Sequence, residues 1–219
     1  MLDTTPKINL WIAPGACSLA PHIMLLDVGL PYTLTTIQVA DKGYPEEHTR
    51  INPKRRVPIL QLDDDTIITE GPAILTAISQ LAPDKHVLGK TNLEVVRSYE
   101  WLNWLSGTLH TQGYGGLYRP ARFSKDKEHF EAITEKGRET IAECYRAIDR
   151  KLRGRKFAVG DGFTAVDAFL LIFYRWGNRM NFGMQEAYPE YVRVMGEVVE
   201  RESVRKVLDE EGIDAHGWD

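Results

Sequence analysis

Cys17 is the residue of this sequence best placed to do chemistry, because it lies between an apolar strand pattern and a helical one. The alternation from Ile8 to Ile12 predicts a strand, and Pro14-Gly15 predicts a turn. Ser18 is a candidate N-cap, which places the thiol beside the unpaired N–H groups of a helix start. These groups and the helix dipole favour a nucleophilic thiolate. Alternatively, Cys17 is a small buried apolar residue, and this stretch alone leaves both interpretations open.

Composition narrows the class of protein. The chain has 219 residues, a net charge of -4 and two cysteines, Cys17 and Cys144, too few for a disulfide framework. We expect a globular, cytoplasmic protein with no secretion leader. The net charge gives no reason to expect a nucleic-acid partner. The longest apolar run, residues 165–174, contains Asp167 and is too short to cross a membrane.

The first 84 residues predict a mixed β and α unit that must position Cys17. Residues 32–39 are rich in β-branched residues and predict a second strand, parallel to the first because a helix lies between them. Residues 57–62 and 66–69 flank three aspartates, which indicates an antiparallel hairpin. A helix then begins near Gly71-Pro72. The predicted order of elements is β-α-β-β-β-α, with a short helix before the hairpin.

From Asn92 onward the apolar spacing is helical throughout, which predicts a bundle. Residues 141–152 carry one apolar stripe, and Cys144 lies beside it, so we interpret Cys144 as core packing. Thr164 to Asp167 matches a capping box and opens an apolar helix that ends near Met180. This helix is expected to form the centre of the bundle.

Three motifs resemble those of the cytosolic glutathione transferases, especially the bacterial beta class. They are Gly15-Ala16-Cys17-Ser18-Leu19-Ala20-Pro21-His22, Asn52-Pro53-Lys54-Arg55-Arg56-Val57-Pro58-Ile59-Leu60 and Thr69-Glu70-Gly71-Pro72-Ala73-Ile74. Trp101-Leu102-Asn103-Trp104 with Leu109-His110 extends the resemblance into the second half. The resemblance implies an α+β fold: residues 1–84 form a thioredoxin-like βαβ-ββα domain, and residues 92–219 form an all-α helical domain.

The resemblance also implies a site for glutathione as co-substrate, with no metal. Val57 precedes a proline, Pro58, that is cis in the family, and its backbone can pair with the cysteinyl part of glutathione as an added strand does. Glu70 can bind the γ-glutamyl ammonium, while the N–H of Gly71 and the start of its helix hold the carboxylate. In the family a serine commonly follows the glutamate that binds glutathione. Here Gly71 takes its place, so the hydroxyl contact to glutathione is lost while the backbone N–H groups remain.

His110 lies near the glutathione sulfur in the beta-class pattern, where an imidazole can donate a hydrogen bond or take a proton near neutral pH. Asn103 precedes it by seven residues, two turns of an α-helix, so both are expected on the face over the ligand. The Ser18 hydroxyl and the amides around Cys17 are the other expected donors to sulfur. A purely structural role for His110 is the alternative, and we expect His22 to pack or to face a partner subunit.

A pocket for the second substrate is expected between the Ala13-Pro14 loop and the helical domain. Tyr114 and Trp176 are candidate walls, as are Leu117 and Tyr118. Aromatic residues at helical spacing are also common in protein cores, and that alternative stays open for these residues.

The resemblance implies a transferase that presents the glutathione thiolate to small hydrophobic electrophiles, and a homodimer. One alternative uses the same fold for different chemistry: Cys17 itself attacks a glutathione adduct or disulfide, as omega-like transferases do. A second alternative is a non-catalytic binding protein that keeps the fold. The sequence does not separate conjugation from Cys17 chemistry.

Overall fold

The computed structural model describes residues 6–38, 45–63 and 66–217. The strands in these ranges are β1 (Ile8–Ile12), β2 (Thr33–Thr36), β3 (Ile59–Leu62) and β4 (Thr66–Thr69). The α-helices are α1 (Leu19–Val28), α2 (Gly71–Leu81), α3 (Asn92–Trp104), α4 (Gly115–Tyr118), α5 (Phe130–Leu152), α6 (Ala165–Arg179), α7 (Met184–Ala187), α8 (Pro189–Val199) and α9 (Glu202–Glu211). A π-helical segment, Leu105–Tyr114, joins α3 to α4.

The four strands form one sheet in the order β2-β1-β3-β4. β1 pairs in parallel with β2, whereas β3 is antiparallel to both β1 and β4. The predicted parallel pair and hairpin are therefore confirmed. β2 ends at Thr36, before the predicted end at Val39, which lies outside the described residues, as do Asp64 and Asp65 of the hairpin turn. β1 and β3 occupy the centre of the sheet and bring the Cys17 turn beside the start of β3.

Helix caps follow the sequence signals. α1 ends at Gly29, whose φ of 76° is left-handed, and α2 carries Pro72 in its first turn. The capping box of α6 is present: the Thr164 hydroxyl accepts from the N–H of Val166, and the Asp167 carboxylate accepts from the N–H of Thr164. α6 is buried along most of its length and forms the centre of the helical half, as predicted.

The segment that carries His110 departs from the predicted α-helix. Its N–H groups bond five residues back instead of four, so seven residues no longer make two turns. Asn103, on α3, is exposed, whereas His110 is half-buried. The expectation that the two residues share one α-helical face was therefore wrong, because the π-helical segment changes the rotation per residue between them.

The sheet and the helices share one continuous apolar core, in which α1 packs against both α6 and α9. Cys144 is 4% exposed and lies in this core. The boundary between residues 84 and 92 stays a prediction. Among the described helices, none is long and apolar enough to cross a membrane.

Candidate functional site

Cys17 lies half-buried in the turn before α1, and its thiol donates to the backbone oxygen of Val57 at 3.2 Å. Burial raises the pKa of the thiol from 9.0 to about 11, although the nearby charges of Arg119 and Arg56 act in the opposite direction. Of the two interpretations that the sequence left open for Cys17, the raised pKa favours the neutral thiol over the thiolate. The loss of hydration raises the pKa of the thiol more than the helix start lowers it, so Cys17 is a neutral thiol near pH 7.

Ser18 is fully buried and occupies the N-cap position of α1 without a capping bond from its side chain. Its hydroxyl accepts from the N–H of Ala13 and donates to the carbonyl of the same residue, both at 3.1 Å. The single hydroxyl proton is thus used to close the Cys17 turn. Donation to a glutathione sulfur, as expected from the sequence, requires that bond to break.

Val57 approaches Cys17 because β3 pairs with β1. The Val57–Pro58 peptide is cis. The N–H of Val57 donates to none of the other described backbone groups, so this edge is available to an extended ligand. The sequence predicted this arrangement only through the family resemblance.

Glu70 and Gly71 lie at the start of α2. Glu70 is the N-cap residue, with φ 74° and ψ 124°, a conformation that residues with side chains rarely adopt. Its exposed carboxylate accepts from Nζ of Lys54 at 2.7 Å. The first helical bond runs from Ile74 to the Glu70 carbonyl, so the N–H groups of Gly71 and Ala73 precede the helical ladder and can meet a carboxylate.

His110 packs against aromatic rings, with centroids 5.4 Å from Trp176 and 6.0 Å from Phe173. Burial, together with the smaller effects of the Arg56, Arg122 and Arg119 charges, lowers its pKa from 6.5 to about 4. The imidazole is therefore neutral near pH 7. Of the two expected roles, proton uptake near neutral pH does not fit the lowered pKa, whereas donation of one hydrogen bond does, because a neutral ring keeps one N–H group.

Trp176 connects the aromatic cluster to the Cys17 turn, since its indole N–H donates to the carbonyl of Gly15 at 2.9 Å. Its ring lies 6.3 Å from that of Tyr118, which is 46% exposed. Pro14 is also exposed. Pro14, Trp176 and Tyr118 can therefore present apolar surface to a ligand on one side of the Cys17 turn.

Tyr114 and Ala13, two other expected pocket residues, are buried. The Tyr114 hydroxyl hydrogen-bonds the hydroxyl of Tyr145, and its ring is 4.9 Å from that of Trp176. Tyr114 therefore packs behind Trp176 as part of the core, which was the alternative interpretation. The expectation that Tyr114 contacts the second substrate directly does not fit this burial.

Comparison with known proteins agrees with this arrangement. Residues 15–81 match the family "Glutathione S-transferase, N-terminal domain", and residues 117–202 match "Glutathione S-transferase, C-terminal domain". The chain is 32% identical over 209 residues to glutathione S-transferase GstA of Escherichia coli O157:H7, covering 94% of this chain and all of that protein. The chain belongs to the glutathione S-transferase family.

Solved structures place the chain within the family. A glutathione transferase homologue from Sulfitobacter, solved with bound glutathione, has a TM-score of 0.87 and 27% identity over 93% of this chain and 98% of its own. A beta-class transferase from Sphingomonas chungbukensis has a TM-score of 0.80 and 28% identity over 94% and 100%. The predicted resemblance to beta-class transferases, with a thioredoxin-like domain and a helical domain, is confirmed.

Three arginines whose charges act on His110 were not predicted from the sequence. Arg56, Arg119 and Arg122 each lower the pKa of His110, so their positive charges act at the candidate site. Burial and the other two arginines lower the pKa of Arg122. Arg56 belongs to a visible basic cluster, residues 54–56, but nothing local in the sequence brings it toward residues 119 and 122.

Proposed function

We propose that this protein conjugates the thiolate of glutathione to small hydrophobic electrophiles, with Cys17 as a neutral hydrogen-bond donor. The observation that carries the proposal is the Cys17 thiol, which lies 3.2 Å from the Val57 oxygen and has a pKa of about 11. Glutathione paired with the Val57 backbone has its cysteinyl sulfur close to this thiol. A neutral thiol is a poor nucleophile but can donate a hydrogen bond to a thiolate. The Cys17 thiol has one proton, so this donation requires that the thiol turn from the Val57 oxygen to the bound sulfur.

The other proposed contacts hold the ends of glutathione and stabilise its charge. Glu70 binds the ammonium, and the N–H of Gly71 binds the adjacent carboxylate. Asn103 contributes a polar group at the edge of the site, and neutral His110 can donate to the sulfur. Each pKa unit of thiolate stabilisation corresponds to about 1.4 kcal/mol, which a few hydrogen bonds and the arginine charges can supply.

The alternative function makes Cys17 the nucleophile. Its thiolate attacks a disulfide of glutathione, forms a mixed disulfide with the glutathionyl sulfur and releases the other thiolate. A second glutathione thiolate then attacks, so that oxidised glutathione leaves and Cys17 is restored. With a pKa of about 11, Cys17 is protonated near pH 7, which favours conjugation over attack by Cys17.

The decisive experiment compares Cys17→Ala with Cys144→Ala, which removes the core cysteine instead. We expect Cys17→Ala to keep most conjugation of glutathione to chlorodinitrobenzene, and Cys144→Ala to match the wild type. Turnover of a glutathione mixed disulfide that Cys17→Ala loses and Cys144→Ala keeps, together with a glutathionylated Cys17 in the mass spectrum of the wild type, would establish the alternative. Absence of turnover in the wild type would indicate a non-catalytic binding protein.

The proposal includes a homodimer and a pocket formed by Pro14, Tyr118 and Trp176. A solution mass near 25 kDa rather than twice that value would contradict the dimer, since one chain has a mass of 24.9 kDa. For the pocket, Trp176→Ala is expected to raise the KM for an aromatic electrophile more than the KM for glutathione. Equal effects on both constants would indicate a structural role alone.

A further inference from the structure

The peptide groups of Gly15, two residues before Cys17, are held from both sides by the helical half of the chain. The Gly15 N–H donates to Oε2 of Glu211 at 2.9 Å, and its carbonyl accepts from the Trp176 indole at 2.9 Å. Glu211 is the last residue of α9, and Trp176 lies in α6. The turn that carries the thiol is therefore fixed by two long-range bonds as well as by its own chain.

The backbone conformation at residue 15 and its close neighbour favour glycine. Gly15 has a φ of 70°, and a Cβ atom added to it would lie 3.3 Å from Nη1 of Arg175. Arg175 is buried, and its Nε donates to the backbone oxygen of Asp214 at 2.6 Å. The segment after α9 thus packs close to the Cys17 turn.

The Glu211 carboxylate is itself fixed by a buried histidine. The side chains of Glu211 and His22 have no solvent exposure, and Nδ1 of His22 lies 2.8 Å from Oε1 of Glu211. On the other side of the ring, Nε2 lies 3.0 Å from Oε2 of Glu210, which is 46% exposed. Ionised carboxylates only accept, so both bonds together need two ring protons or one protonated carboxyl group.

The Tyr32 ring also packs edge-on against His22, with the two ring centroids 5.6 Å apart. Burial raises the pKa of Tyr32 to about 12, and the carboxylates of Glu210 and Glu211 contribute. The phenol is therefore neutral and adds no charge. A carboxylate buried without a hydrogen-bonded partner is costly in free energy. The bond from His22 supplies that partner, so the Glu211 carboxylate can be buried next to the Cys17 turn.

We propose that Glu211 is a positioning residue for the reaction, which sets the Cys17 turn through the Gly15 N–H while His22 holds its carboxylate. The inference rests on the proposed function, because the turn matters only if glutathione sulfur is bound beside it. Displacement of the turn moves the Cys17 thiol together with the N–H groups of Cys17 and Ser18, which donate to none of the described backbone groups. A shift of about 1 Å at a reacting centre can cost about a hundredfold in rate.

The test separates two possible roles of Glu211: positioning of the Cys17 turn, and simple packing of α9 against α1. Glu211→Ala removes the acceptor for Gly15, whereas Glu211→Gln keeps an oxygen for Gly15 and offers an N–H group to His22. Asp27→Asn is the matched control. Asp27 on α1 accepts from Arg201 at 3.0 Å and from Ser203 at 2.6 Å, and so joins α1 to α9 without contact to Gly15.

We expect Glu211→Ala to lower the kcat of conjugation about tenfold or more, with little change in the KM for glutathione, because Val57 and Glu70 hold the ligand elsewhere. Glu211→Gln should recover most of the kcat. Asp27→Asn should lower the melting temperature without lowering kcat. A folded Glu211→Ala variant with wild-type kcat would overturn the proposal, and so would an equal loss of kcat in Asp27→Asn.

Hydrogen exchange at the Gly15 amide keeps the proposal testable if Glu211→Ala does not fold. In the full-length wild type this amide should exchange slowly, and in Glu211→Gln only moderately faster. Exchange as rapid as that of an exposed loop amide would refute the Gly15–Glu211 contact. This measurement uses no substrate, so an inactive wild type with a protected Gly15 would contradict the proposed function and leave the contact established.

Discussion

The Nζ atom of Lys54 lies 2.7 Å from Oε1 of Glu70. Under the proposed function, Glu70 binds the ammonium group of glutathione, so Lys54 places an ammonium of its own at the same carboxylate. Lys54 also donates to the Thr69 hydroxyl at 2.8 Å. Glutathione therefore competes with Lys54 for Glu70, or shares the carboxylate with it.

This competition predicts the effect of Lys54→Met on glutathione binding. Both side chains of the pair are more than half exposed, so the ion pair is worth at most about 1 kcal/mol. Removing the competing ammonium should lower the KM for glutathione by up to about fivefold. Glu70→Gln should raise the same KM by tenfold or more, since the ligand's own partner is lost. A higher KM in Lys54→Met would show that Lys54 assists binding.

The raised pKa of Cys17 predicts slow alkylation at neutral pH. Only the thiolate reacts, so the rate with iodoacetamide should rise about tenfold for each pH unit until it levels near pH 11. The measurement is made in Cys144→Ala, in which Cys17 is the only thiol. A rate that levels below about pH 8 would contradict the neutral thiol and favour Cys17 as the nucleophile.

The pKa of His110 predicts a loss of stability in mild acid. The unfolded chain takes up a proton near the ordinary value of 6.5, whereas the folded protein does so only near 4. The contribution of neutral His110 is therefore complete above about pH 6.5 and is lost as the pH falls toward 4, by up to about 3 kcal/mol. Urea unfolding at several pH values should show that the wild type loses more stability between pH 6.5 and 4 than His110→Gln does, and this difference isolates His110 from other groups that titrate in the same range. Identical pH dependence in both proteins would contradict the lowered pKa.

The capping box of α6 predicts a large stability effect far from the chemistry. The buried Asp167 carboxylate accepts from the N–H groups of Ala158 at 2.8 Å and Thr164 at 2.9 Å. Asp167→Ala leaves these groups without their acceptor and should lower the free energy of unfolding by about 2–4 kcal/mol. Thr164→Ser keeps a capping hydroxyl and should cost less than about 1 kcal/mol. Equal, small losses in both variants would contradict this prediction.

The sequence by itself determined the elements and the family. Alternation in β1, the caps at Gly29 and Thr164, and the hairpin pattern are local signals, because periodicity and turn chemistry act over a few residues. These signals were enough to predict the parallel pair of β1 and β2, the hairpin of β3 and β4 and the helical second half. The π-helical segment escaped prediction because its apolar stripe also fits an α-helix.

Only the tertiary structure decided how the site residues behave. The neutral state of Cys17 and the low pKa of His110 result from burial by residues distant in the chain. Likewise, the Glu211–Gly15 bond joins residues 196 positions apart. Desolvation and long-range hydrogen bonds depend on which surfaces meet, and no local pattern encodes that. The sequence therefore placed a thiol at a helix start, whereas the packed chain determined that the thiol is neutral.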